Sequence, residues 1–343
     1  MRVGFDASAC KSPHSPGVRR VASSLLEALE ARGRLEVVRL EPPAGLTRFG
    51  SWRRRELPRL VKERGLAGIH SFVSSFAPGG PGRRVQTVHE LPWKHGDPEN
   101  AGLAHRFWAF FGPRRAARVV VPTRHVAKDL GNRANVRVIP WGVSAAFVPE
   151  PAPGQIDEVL LERYRLGSDP IVLCPGAVRP KKNLAAVLRG VARLVAQGRR
   201  VEVVVTGGDT PTLRRDLGLA SQLGLAGQVT TLDRIEEQDL PGLYRLASLV
   251  PVLSGSEGFG LPVLEALACG TPAIVPADSA QEEAGQGAAF AVDASSEESI
   301  ATAFAEALDR REELRYTLPE RLQETSWDRA AAAVEALWEE LGS

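Results

Sequence analysis

Cysteine is scarce in this sequence. Cys10, Cys174 and Cys269 stand far apart and in no metal-ligand spacing, which excludes a disulfide framework or a zinc module and suits small side chains in a reducing compartment. Long apolar runs are missing too. No segment approaches the ~18 unbroken apolar residues that a membrane-spanning helix needs. The opening MRVGFDASAC has too short an apolar stretch, interrupted by charge, for a secretion signal, so it reads as a core strand and the expected location is cytoplasmic. No G-x-G-x-x-G turn follows that strand, which argues against a dinucleotide-dependent dehydrogenase.

What is present is ample for two domains. The chain has 343 residues, 43% hydrophobic and 24% charged, ordinary values for globular protein of that size. Its net charge of +2 hides an asymmetry: residues 1–150 hold 25 Lys and Arg against 12 Asp and Glu, and the remainder 18 against 29. Two such halves have surfaces with different partners. Cations cluster at Arg53, Arg54, Arg55, Arg59, Lys62 and Arg64, and again at Arg106, Arg114, Arg115 and Arg118, the second set interleaved with Phe107, Trp108, Phe110 and Phe111. A basic, aromatic helix can lie on an anionic bilayer, each cation contributing on the order of 1 kcal/mol. The alternative is that the aromatics face the core and the arginines are solvated. No recognisable nucleic-acid-binding module accompanies the charge, so no nucleic acid is expected as a partner.

Short apolar runs alternate with amphipathic segments, twice over. Strands are expected at 3–5, 35–40, 67–70, 85–88, 119–121 and 136–139, then at 171–174, 201–205, 229–232, 249–253, 273–275 and 289–292. Helices of 10–15 residues between strands imply right-handed crossovers and parallel sheets. Two sheets of this size exceed one core. The fold class is therefore α/β, with two doubly wound Rossmann-like domains facing across a cleft. Residues 148–155, VPEPAPGQ, read as the linker. The expected domains are 1–150 and 151–325, with a helix over 326–343 whose apolar Ala331, Val334, Leu337, Trp338 and Leu341 repeat at helical spacing.

In open parallel sheets ligands collect at the carboxyl ends of the strands. Residues 254–276, SGSEGFGLPVLEALACGTPAIVP, follow an apolar strand pattern with a glycine loop and then a short helix at 261–268. Free amides, the positive end of the helix dipole and glycine's lack of a side chain make such a junction an anion site. Glu257 at the loop mouth and Glu265 in the helix suit hydroxyl-rich ligands, since a carboxylate accepts two hydroxyl hydrogen bonds at once. Two solvated glutamates are the plain alternative, but apolar and small neighbours surround Glu265. After the strand at 171–174 comes PGAVRPKKN, with Gly176 for a turn, Arg179, Lys181 and Lys182 as cations, and Asn183 placed to cap the next helix. Cations at a helix start oppose the dipole, so an anionic ligand is the better explanation.

These segments resemble the paired-glutamate and glycine–lysine signatures of the retaining glycosyltransferases of family 4, which have the two-domain GT-B fold. The likeness extends to PGVRR at 16–20, TVHE at 87–90, VPTRHVAKDL and VIPWGV, densest from 171 to 293. It implies that Glu265 holds ribose hydroxyls, and that the amides of Gly258, Phe259, Gly260 and Leu261 hold a diphosphate with Lys182. Glu257 would contact the donor sugar, as the chief catalytic candidate beside His89. Lys181 or Arg179 would stand in for a cation the family often carries where this chain has Ala177. Gly17 would approach the transferring sugar; Arg19 replaces the loop's second glycine. The last helix would cross back onto the first domain. No Asp-x-Asp triplet occurs, so a metal-bound diphosphate is not supported and no metal or cofactor is expected. The implied activity moves a sugar from a nucleotide-sugar donor, GDP-mannose favoured over UDP-glucose or a dTDP-deoxysugar, to a hydroxyl of a glycan or lipid-linked acceptor. An epimerase or phosphorylase on the same scaffold, or a non-catalytic nucleotide-sugar-binding subunit, remain the alternatives.

Overall fold

A computed structural model describes the chain except for residues 12–14, 47–48, 74–78, 98–101, 152–155, 234, 321, 323–324 and 343. The second half of the expected linker therefore lies outside the described residues. The first sheet comprises β1 (Arg2–Asp6), β2 (Glu36–Leu40), β3 (Gly68–Ser71), β4 (Arg83–Thr87), β5 (Arg118–Val121) and β6 (Val136–Val138). Its strands lie in the order β2-β1-β3-β4-β5-β6, all parallel. The second comprises β7 (Ile171–Cys174), β8 (Glu202–Thr206), β9 (Val229–Leu232), β10 (Ala247–Pro251), β11 (Ala273–Pro276) and β12 (Phe290–Val292). Their order is β12-β11-β10-β7-β8-β9, again all parallel. The direction of winding reverses between β1 and β3, and between β10 and β7. In open parallel sheets such reversals open a crevice at the strand ends.

Central strands such as β7 and β8 are apolar on consecutive residues because helices cover both faces. The second core gathers Val172, Leu188, Val191, Val203, Leu249 and Phe304. Gly190 allows a close approach there, since a Cβ at that position would lie 2.5 Å from Ile300 Cγ2. In the first sheet Arg53 departs from its basic cluster. It turns inward, nearly buried, and its Nε donates to Asp6 Oδ2 at 2.9 Å while its Nη2 donates to Ser8 at 2.6 Å. That tie fixes the helix Gly50–Glu63 to the carboxyl end of β1.

The chain divides into one unit of Met1–Gly142 with Thr325–Ser343 and another of Val143–Glu324. The change comes ahead of the expected boundary at residue 150, because the start of the proline-rich segment is held by the second unit. The Phe147 ring meets Tyr244 edge-on at 5.6 Å, Arg245 donates to the Val148 carbonyl at 3.3 Å, and Tyr316 donates to Glu150 at 2.8 Å. The final helix, Trp327–Gly342, groups with the first unit, where Trp327 stacks on Trp141 at 6.4 Å and Arg32 donates to Glu335 at 2.8 Å. Among the described residues, three α-helices carry little sequence signal of their own: Val159–Arg163, Ala280–Gly285 and Arg311–Glu320. The first two have only five and six residues, too few for a helical period to show. The third is half charged and contains Pro319 one residue before its end.

Candidate functional site

The winding of the second sheet places the ends of β7 and β10 side by side, so their two loops share one edge. The β7 loop is seated on the end of β8. Gly176 N donates to Thr206 Oγ1 at 2.7 Å, and Gly207, at φ +100°, has no room for a side chain because its Cβ would lie 2.3 Å from Ala177 N. Pro180–Lys182 then forms one 3-10 turn. Asn183 does not cap the next helix through its side chain. It takes the left-handed conformation at φ 55°, ψ 40°, and so redirects the chain into Leu184–Ala196.

The β10 loop, residues 254–260, is tied at several points. Gly255 N donates to the Lys181 carbonyl at 2.9 Å, and buried Gln281 donates from Nε2 to the Ser254 carbonyl at 2.8 Å. Gly260 leaves the loop at φ 96°, ψ 61°, a conformation glycine adopts without strain, and opens the helix Leu261–Ala268. Gly258, Phe259 and Gly260 are buried, and no side chain caps the helix. Between the loops lies a depression lined by Gly176, Lys182, Val252, Ser254 and Pro262.

Glu257 and the two lysines meet here. Lys182 Nζ donates to Glu257 Oε1 at 2.8 Å, and Lys181 Nζ lies 3.8 Å from Oε2. The Glu257 side chain is 15% exposed and that of Lys181 only 3%. Burial pushes the Glu257 carboxyl up, but the charges of Lys182 and Lys181 outweigh it and hold the group below the usual carboxylate range. The arrangement is a preorganised mixed-charge cluster that can meet both an anion and a hydroxyl. Arg179 precedes the turn and accepts Lys182 N at its carbonyl at 2.9 Å.

Glu265 is not solvated. It is buried within Leu261–Ala268, and Tyr244 donates its hydroxyl to Oε2 at 2.7 Å. Tyr244, Gln281 and the Thr206–Gly207 shelf escaped the reading of the sequence. Only the glycine pair Gly207–Gly208 directly after a strand carried any signal. Cys174 also lines the depression, but burial pushes its thiol up to about 12, so it supplies no nucleophile at neutral pH.

In the first unit, His89 follows the end of β4 and donates from Nε2 to the Phe72 carbonyl at 2.8 Å. Its ring lies 6.0 Å from that of Trp141. His70 is wholly buried, its ring 5.4 Å from that of Phe5 and 4.9 Å from that of Phe72, with Nε2 2.9 Å from Thr87 Oγ1. Burial, aided by His89, pushes the His70 imidazole down to about 3, so it stays neutral. Gly17 is not in a loop. It occupies the first turn of the helix Pro16–Arg32, exposed, and an added Cβ there would meet nothing within 4 Å.

Residues 161–325 match the family model described as glycosyl transferases group 1. The match lies within the second unit but for its last residue. A D-inositol 3-phosphate glycosyltransferase of Salinispora arenicola is 37% identical over 180 residues, 47% of this chain and 40% of that protein. One of the same description from Rhodococcus jostii is 40% identical over 121 residues, 33% of this chain and 27% of that protein. The chain thus matches less than half the length of these relatives. Solved structures resemble it over its whole length. Sucrose-phosphate synthase of Thermosynechococcus elongatus superposes with a TM-score of 0.81 at 19% identity, covering 100% of this chain and 99% of that one. WaaG, a glycosyltransferase involved in lipopolysaccharide biosynthesis, gives a TM-score of 0.70 at 16% identity over 98% and 99%. Anabaena HepE in complex with UDP-glucose gives 0.74 at 16% identity over 99% of each chain. At these identities the likeness concerns the fold, which is that of the GT-B glycosyltransferases.

Proposed function

We propose that the chain is a retaining, metal-independent glycosyltransferase that takes a nucleotide-sugar donor at the β7–β10 loops. The observation that carries the reading is the Glu257–Lys182–Lys181 cluster at the mouth of a glycine loop opening a helix. A donor diphosphate entering the depression would compete with Glu257 for Lys182. It would gain the loop amides and the helix dipole and free the Glu257 carboxylate for the sugar's hydroxyls. Charge that builds on the leaving phosphate is offset by cations already in place, which favours the transition state over the bound donor. Glu265, oriented by Tyr244, would hold the ribose hydroxyls. In a front-face displacement the acceptor oxygen bonds to the anomeric carbon as that carbon's bond to phosphate breaks. The acceptor's proton passes to a phosphate oxygen, so no protein nucleophile is required. His89 would orient a sugar or acceptor hydroxyl.

GDP-mannose is the donor we favour, from EGFGLP at 257–262, with UDP-sugars as the competing class. The acceptor is a hydroxyl on a glycan or lipid-linked carrier, reached from a bilayer surface through the helix Leu103–Arg115. A thermal-shift panel of UDP, GDP, ADP and dTDP sugars tests the donor site. A ligand at 100 times its dissociation constant adds ~2.7 kcal/mol of stability. No shift with any nucleotide sugar would remove the basis of the proposal. Nucleotide-sugar turnover without an acceptor, or dependence on free phosphate, would instead favour an epimerase or a phosphorylase.

A further inference from the structure

The first unit gathers three metal-ligating side chains that sugar transfer does not use. His95 ends the 3-10 turn Pro92–His95, while His125 and Asp129 lie on the helix Arg124–Asp129. A separation of four residues puts His125 and Asp129 on one helix face. His95 faces both: its Nε2 is 2.7 Å from Asp129 Oδ2, and its ring stacks on that of His125 at 5.2 Å and 27°. One donor atom from each of the three lies within 4.8 Å of the others. The cluster is reachable from solvent, the side chains of His95 and Asp129 being 30% and 15% exposed.

We propose that His95, His125 and Asp129 form a binding site for a divalent transition-metal ion of the zinc class. Two imidazoles and a carboxylate are the nitrogen and oxygen donors such ions prefer, whereas Mg²⁺ and Ca²⁺ favour all-oxygen sets. Bonds of ~2.0–2.2 Å to a tetrahedral ion would bring the donors to roughly 3.3 Å apart, a contraction that side-chain rotation supplies. On binding, Nε2 of His95 would exchange its hydrogen bond to Asp129 for the ion. Lys94 donates from Nζ to the Asp129 carbonyl, and Arg124 and Lys128 are the cations on the helix. Three protein ligands leave a fourth position to water. The ion would tie the turn that follows His89 and the end of β4 to the helix Arg124–Asp129.

The alternative is that His95 and Asp129 form a hydrogen-bonded tie and nothing more. Isothermal titration of the full, untagged chain with ZnCl2, CoCl2 and MgCl2 separates the two. The proposal expects one equivalent of Zn²⁺ or Co²⁺ bound, a melting temperature that rises to saturation with Zn²⁺, and no binding of Mg²⁺. His125→Ala, which leaves the His95–Asp129 bond in place, should weaken Zn²⁺ binding by at least ~10-fold, the low end of what even outer-sphere changes cost. Asp129→Asn keeps the shape of the side chain and should weaken it similarly, so that a misfolded histidine variant would not decide the matter. Zn²⁺ affinity unchanged in both variants, or no uptake by the native chain, would overturn the proposal. Neither readout depends on sugar transfer.

Discussion

Glu257 is charged at a buried position because Lys182 and Lys181 stand beside it, and each replacement in this trio should therefore act differently. Glu257→Ala is expected to abolish sugar transfer and to lower the melting temperature without unfolding the chain; a radioactive-donor assay paired with calorimetry checks both. On the proposed donor mode, Lys182→Ala would remove a charged hydrogen bond to the diphosphate, about 1.5–3 kcal/mol, and should weaken nucleotide-sugar binding by roughly ten- to a hundred-fold on titration. Two pH effects follow from the same physics. The Glu257 carboxyl is depressed, so its contribution to stability is present above its ordinary value of 4.5 and is lost as pH falls through the lower folded value. His70 is depressed from 6.5 to about 3. Its contribution is complete above 6.5 and is lost as pH falls below that, at ~1.4 kcal/mol per pH unit, since only the unfolded chain takes up the proton. Urea melts at pH 7.0, 5.5 and 4.5 should show this slope in the native chain and its loss in His70→Gln. The glutamate pair and Lys182 were legible as residues because charge inside an apolar or glycine-rich run has few other reasons to be there. The burial of His70 was not, since a histidine at a strand end looks the same whether wet or dry.

Among elements, the helix Leu103–Arg115 carries both readings its sequence left open, since Trp108 packs against the cluster of Val88, Leu91 and Val119. Leu103, Phe107 and Phe110 are 86%, 55% and 61% exposed and recur at helical spacing, so these aromatics do not face the core. Arg114 lies 3.4 Å over the Phe110 ring and Arg106 is exposed beside them. Such a face suits anionic lipid. Phe107→Glu with Phe110→Glu is expected to abolish co-sedimentation with phosphatidylserine vesicles, and 0.5 M salt, where screening shortens the Debye length to well under ~8 Å, should weaken it in the native chain. Vesicle binding that survives both would leave the face without this role. Helix positions were otherwise legible because Leu184–Ala196 and Glu297–Asp309 each show a full apolar stripe. The Pro180–Lys182 turn and the left-handed Asn183 were not, because a single residue's backbone conformation leaves no periodic trace.

At the scale of the whole molecule, the final helix belongs to the unit formed by the beginning of the chain. Trp338 is fully buried there, and a Cβ on Gly142 would lie 2.1 Å from Trp327 N. Trp338→Ala should cost about 3–5 kcal/mol as its cavity collapses only in part. Hydrogen exchange should accelerate across β1–β6 and Trp327–Gly342, with protection of Val143–Glu324 unchanged. The sequence by itself determined the two parallel sheets, their helices and the glycine loop with its acidic pair, because periodicity and misplaced charge are local properties of a chain. Only the tertiary structure decided that Arg53 turns in to Asp6, that Tyr244 holds Glu265, that Lys181 and Lys182 converge on Glu257, and where one unit gives way to the other. Those pairings join residues far apart in the chain, and partners brought together by crossovers are specified by packing rather than by spacing.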